Sequence, residues 1–132
     1  MPTLPNGAGG YQFGDGNETE INMVTQVTPT AKTAAATLTA AELATGIITY
    51  NGAAAALTMP LGTALEAAFP SMKVNSCFDF FIINIGGTNA ATVTANTGVT
   101  LVGTAAVSAN TSCNWRVRKT AENTYVALRV AG

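Results

Sequence analysis

The sequence predicts an all-β fold: an antiparallel β-sandwich or jelly-roll-like barrel with two short helical turns and an extended N-terminal arm. Three observations point there. From Glu18 onward, short runs of β-branched, aromatic and aliphatic residues recur at close spacing, separated by turns rich in Asn, Gly and Thr. Threonine recurs within those runs, which suits pleated and half-exposed surfaces. Ahead of them, Pro2, Pro5, Gly7, Gly9, Gly10, Gly14 and Gly16 crowd a stretch that favours neither helix nor strand. The chain of 132 residues therefore divides into an arm, residues 1–17, and one β body, residues 18–132.

The elements follow in order. Glu20–Val27 approximates alternation and reads as the first strand, with Thr37-Leu38 as a short second. Thr39-Ala40-Ala41-Glu42 has the spacing of a capping box, and Gly46 is placed to end a brief helix. Ile47–Tyr50 returns to strand. Asn51-Gly52 is a tight-turn signal before the strand Ala55–Met59, which Pro60 ends. Thr63-Ala64-Leu65-Glu66 reads as a second capping box, and Pro70 closes its helix. The two strand-then-helix units look alike over a short length. Phe78–Ile85 is apolar on both faces, as a central strand would be. Ala91–Ala95, Val99–Val102, Ala105–Val107, Cys113–Arg118 and Thr124–Val130 complete the set, with polar or glycine turns between them.

Composition narrows the chemistry. Charged residues make up 10% of the chain, against about a quarter in ordinary globular domains. There is no histidine, which removes the commonest general base and the commonest metal ligand. A net charge of -1 argues against electrostatic capture of nucleic acid or an anionic membrane. Residues 1–7 lack the basic and apolar regions of a secretory leader, and no apolar run is long enough to span a bilayer. Cys77 and Cys113 are far apart and fit no metal spacing, leaving buried free thiols or a disulfide between neighbouring strands.

The carboxylates provide no acid–base pair. Glu42 and Glu66 are accounted for as capping residues, Glu122 lies in a turn, and Asp79 between Phe78 and Phe80 reads as a strand residue paired with an arginine or facing a turn. Asp15–Glu20 alternates oxygen-bearing residues but lacks the glycine and terminal glutamate of a calcium loop. No catalytic, cofactor-binding or metal-binding residue is expected.

Two features suggest contact with another macromolecule. Leu4, Tyr11 and Phe13 are apolar anchors on the glycine-rich arm, fitting either a docking arm or an arm folded back on its own domain. Arg116 and Arg118 share one strand face opposite Trp115 and Val117, within a final hairpin that also holds Lys119 and Arg129. That basic face is either solvated or an inter-subunit salt-bridge patch, since Asp15, Glu18 and Glu20 have the opposite sign. The Thr/Asn-rich loops and Trp115 also suit a carbohydrate-binding module.

Thr39–Thr49, Leu57–Pro60 with the helix to Phe69-Pro70, Phe78–Phe80 with Ile83-Asn84, and Trp115–Thr120 through Thr124–Val126 together resemble small structural proteins of tailed phages. The likeness is strongest to the capsid decoration, or cement, proteins of cyanophage-like particles, and it spans about Thr39 to Val130, leaving out the arm. The resemblance implies a virion protein made in the bacterial host cytoplasm. It would bind the outside of the head, bridge neighbouring major capsid proteins, and assemble as a homo-oligomer, a trimer being favoured. A fibre or tail module binding a host receptor or glycan is the alternative. Neither reading includes an enzyme, nucleic acid or a membrane.

Overall fold

The computed structural model describes residues 23–132. The arm, including Leu4, Tyr11 and Phe13, lies outside them, as does the start of the strand expected at Glu20. Among the described residues are ten strands and two helices: β1 (Thr30–Lys32), β2 (Ala36–Thr37), α1 (Ala40–Ala44), β3 (Ile47–Tyr50), β4 (Ala55–Thr58), α2 (Gly62–Ala68), β5 (Cys77–Asn84), β6 (Ala91–Thr94), β7 (Val99–Val102), β8 (Ala106–Val107), β9 (Ser112–Ala121) and β10 (Thr124–Ala131). The chain is β-rich as expected, but residues 23–27 of the strand expected at Glu20–Val27 form no strand. Residues 23–29 have no regular structure, and Met23 and Val24 are more than four-fifths exposed. Alternation there has no sheet face to match.

The antiparallel expectation is overturned. Two mixed sheets form, one of six strands in the order β1-β3-β5-β9-β10-β7 and one of four in the order β2-β4-β6-β8. Up to β8 the chain alternates between them, odd strands in the first and even strands in the second. It therefore winds: β3 lies parallel to β1 and β5, and β4 parallel to β2 and β6. Antiparallel pairs enter only with β6–β8, β5–β9 and the β9–β10 hairpin, and β10 then takes β7 as a parallel neighbour. Turn chemistry misled the sequence reading because it specifies a local bend, not the sheet that the next strand joins. Asn51-Gly52 does not close a hairpin; it carries the chain from β3 in one sheet to β4 in the other.

The two look-alike strand–helix units are successive turns of this winding. In each unit an even strand is followed by a helix that returns the chain to the six-stranded sheet, β2 through α1 to β3 and β4 through α2 to β5. The capping box of α1 forms as the sequence implies. Thr39 Oγ1 accepts from the Glu42 N–H at 3.1 Å, and Glu42 Oε1 accepts from the Thr39 N–H at 3.0 Å. Gly46 follows at a φ of 87°, a region glycine enters without a steric penalty.

The second capping box does not form. Helix α2 begins two residues early, at Gly62 after Leu61, so Glu66 lies too deep in it to reach back to the cap. Its carboxylate instead crosses to the final hairpin, accepting from Lys119 Nζ at 2.6 Å, the Asn123 N–H at 3.0 Å and the Tyr125 hydroxyl at 3.0 Å. Lys119 is buried and also donates to the Met72 carbonyl at 3.1 Å. Close approach makes this possible. A Cβ on Gly62 would lie 2.1 Å from the Asn123 carbonyl oxygen, and 3.1 Å from the Gly98 Cα.

One core receives the inward side chains of both sheets and both helices. Tyr50, Phe80, Ile82, Trp115, Val117 and Tyr125 come from the six-stranded sheet, Leu57, Val93 and Val107 from the other, and Leu43 and Leu65 from the helices. The Trp115 indole N–H donates to Cys113 Sγ within that core at 3.0 Å. Both cysteines are free, but only Cys113 is buried; Cys77 is exposed. A bridge is excluded by parity: Cys113 sits opposite Ile82 with its thiol inward, whereas Cys77 sits opposite Arg118 on the outer side.

Gly62→Ala should lower the unfolding free energy in urea by about 2–3 kcal/mol, because backbone must move to admit the methyl. Gly87→Ala, where a Cβ meets nothing within 4 Å, should stay within about 0.5 kcal/mol of the parent. The Glu66 carboxyl is held below the usual carboxylate range, by Lys119 foremost and by the Asn123 and Tyr125 donors. A lowered carboxyl stabilises above its unfolded pKa and loses that contribution as pH falls through its folded value. The gap in melting temperature between the parent and Glu66→Gln should therefore be open at neutral pH and close below about pH 4.

Candidate interaction surface

Strand parity sends alternate residues of the six-stranded sheet away from the core, and no element covers them among the described residues. Across the central strands this outer face runs in rows. Cys77, Arg118, Val126 and Thr100 form one; Asp79, Arg116, Leu128 and Val102 the next; Ile47, Phe81 and Asn114 a third; Thr49, Ile83 and Ser112 a fourth. Phe81 is 43% exposed and Val102 52%, although both side chains are fully apolar. A central strand was expected to be covered on both faces. β5 is central, between β3 and β9, yet only its inner face is packed.

Arg116 and Arg118 are brought together on this face, as their spacing implied. Arg116 holds Asp79 in a two-pronged pair, Nε to Oδ1 at 2.7 Å and Nη2 to Oδ2 at 2.9 Å. The guanidinium keeps the Asp79 carboxyl below the usual carboxylate range, more than offsetting its partial burial, and Asp79 in turn raises the Arg116 pKa. Arg118 is bonded to the amide oxygen of Asn75 and has no carboxylate partner among the described residues.

The other two basic residues of the hairpin do not join this patch. Lys119 turns inward to Glu66, and Arg129 is spent on backbone carbonyls, donating to Thr104 at 2.8 Å, Ala106 at 2.6 Å and Gly132 at 3.1 Å. Leu4, Tyr11 and Phe13, being outside the described residues, are not located. Trp115 is fully buried under Arg116, so it offers no stacking platform for a sugar.

The described carboxylates are dispersed. Glu42 pairs with Lys32 at 2.7 Å, Glu66 with Lys119 and Asp79 with Arg116, each on a different element. Burial pushes the Glu42 carboxyl up, but the hydrogen bonds from Lys32 and Thr39 outweigh it and leave it lowered. Burial is also the main reason the Tyr125 hydroxyl is pushed up to about 12, with its bond to Glu66 adding to the effect. Each charged side chain so far described is held by a neighbour.

What the outer face can do is bind. An ion pair with a guanidinium at its centre, rimmed by Phe81, Ile83, Leu128 and Val102, has the composition of an interface core, which is poor in charge and favours Arg and aromatic residues. Sequence reasoning finds the two arginines and misses the apolar rim, because a run apolar on both faces reads as a central strand covered on both sides. The signal was present in Cys77 and Asp79, polar residues at the same parity as Phe81 and Ile83. No protein-family model matches the chain, and searches of curated proteins and of solved structures return no match either.

Proposed function

We propose that this protein is a virion structural protein, a capsid decoration or cement protein. In this reading it binds the outside of a phage head and strengthens the shell by bridging major capsid proteins. The observation that carries the reading is the uncovered outer face of the six-stranded sheet, where apolar side chains surround the Arg116–Asp79 pair on a chain with few charges. Arg116 and Arg118 supply the polar centre of the contact, and Leu4, Tyr11 and Phe13 of the arm extend it to the shell or to a neighbouring subunit. The body is a two-sheet sandwich of mixed strand orientation around one core, rigid enough to present such a face. The protein works as a homo-oligomer, a trimer by the family likeness, and has no catalytic role.

The mechanism is linkage. A protein that binds only the assembled, expanded shell stabilises that state by mass action, and the gain is multiplied over many sites. A fibre or tail module binding a receptor or glycan is the competing reading, and it loses the support of Trp115, which is buried.

Purified protein mixed with undecorated capsids should co-sediment saturably, in hundreds of copies per particle, and raise the temperature of genome release. Binding at a few copies per particle would favour the fibre reading, and no saturable binding would sink the proposal. Phe81→Asp and Leu128→Asp should each weaken shell binding by at least about tenfold, the loss of roughly 1.4 kcal/mol typical of a contact at an interface centre. Both variants should keep the parent's circular dichroism spectrum, since neither residue belongs to the core cluster.

A further inference from the structure

The outer face of the six-stranded sheet is large enough to be an interface between two copies of this chain. Neighbouring strands lie about 4.8 Å apart, so the five from β3 to β7 span about 20–25 Å, and the eight residues of β5 run about 26 Å. The face therefore offers about 500–650 Å², and two copies laid face to face would cover about 1,000–1,300 Å². Specific protein interfaces begin at about 1,000 Å².

The centre of the face is its own complement. Asp79 and Arg116 lie directly opposite each other on β5 and β9. When a second copy is turned over about a two-fold axis running along and between these strands, the carboxylate of each copy lies over the guanidinium of the other. Both groups keep capacity for that second contact. Within the chain the guanidinium uses Nε and Nη2, and each carboxylate oxygen accepts one of these bonds, at 2.7 Å and 2.9 Å. A guanidinium has five N–H donors, and each carboxylate oxygen accepts at about two positions. Covering a pair that is already neutral also leaves no lone charge buried.

The flanking residues match under the same rotation. Phe81 and Ile83 pair with Asn114 and Ser112 in the β5–β9 register, so each large apolar side chain of one copy meets a smaller polar one of the other. Alternation of large and small lets facing layers interlock. Arg118, held by Asn75, falls over the uncharged Cys77 of the other copy.

We infer that in solution the protein is a two-fold dimer joined through the outer faces of its six-stranded sheets, with two Asp79–Arg116 pairs stacked head to tail at the centre. A second copy is favoured over an unrelated partner because it carries the inverse of this pair at the matching spacing. The inference goes beyond the capsid reading, since it concerns the protein before it meets a shell. The dimer opens when the same face reaches the shell.

Sedimentation velocity of the full chain without capsids, from about 1 to 300 µM, should show the mass rise from 13.4 kDa towards twice that value. Over that range alkylation of Cys77 by a maleimide should slow about fivefold, as mass action covers the thiol at a Kd of about 10 µM. Cys113 is buried and should stay unmodified in every variant, which reports an intact fold. Phe81→Asp should remain monomeric throughout. Asp79→Arg and Arg116→Asp should each be monomeric alone and should associate when mixed in equal amounts, because opposite charges then meet only across the interface. A parent that stays at 13.4 kDa at the highest concentration would overturn the inference, and slow Cys77 alkylation at every concentration would then assign the cover to the chain's own arm. A closed trimer would overturn the two-fold arrangement. Saturable capsid binding by a monomeric parent would leave the capsid reading standing and remove this one.

Discussion

The ladder between β5 and β9 is the joint on which the body depends. In the six-stranded sheet it alone connects the wound half, β1, β3 and β5, to the C-terminal half, β9, β10 and β7. Seven residue pairs make it, from Cys77 opposite Arg118 to Ile83 opposite Ser112. On its inner side Phe80 lies against Trp115, the largest buried side chain, and on its outer side Asp79 meets Arg116. Burial of large aromatic surface supplies most of the stabilisation at such a joint, and an exposed ion pair adds little. Asp79–Arg116 therefore contributes more to the shape and polarity of the outer face than to the strength of the fold.

The Glu66 crossing reinforces the joint from outside the sheet. It fastens α2, which belongs to the winding, to the β9–β10 hairpin, with Lys119 as the buried cation and Tyr125 and Asn123 as further donors. Gly62 and Gly98 let the backbones come close enough for that contact. The winding also ends abruptly. β3 starts late relative to β5 and pairs only with Phe81–Asn84, so Cys77 and Asp79 have no β3 partner.

Much of this was legible in advance. Ala91–Ala95 and the final hairpin were visible as alternating runs, because period-two alternation is imposed by which face meets the core. The α1 cap was readable from Thr39 and Glu42, four adjacent residues that need nothing else to form it. Arg116 and Arg118 could be assigned to one face by counting. Glu66 could not be assigned, since Thr63–Glu66 has the same spacing as the true box and only the position of Leu61 and Gly62 against Asn123 shifts the helix start. The 20–27 run alternates too, but residues 23–27 meet no sheet.

By itself, then, the sequence determined that this is a β-rich chain with two brief helices, no histidine chemistry, and a pair of arginines set opposite a tryptophan. These properties rest on residue identity and on spacings within a few positions. Only the tertiary structure decided that the strands wind between two sheets, that Lys119 and Glu66 are partners, that Trp115 is sealed while Phe81 is open, and that β3 pairs with only the second half of β5. Each of those depends on which strand lies beside which. Partner choice is set by packing the whole chain around one core, and no local spacing encodes it.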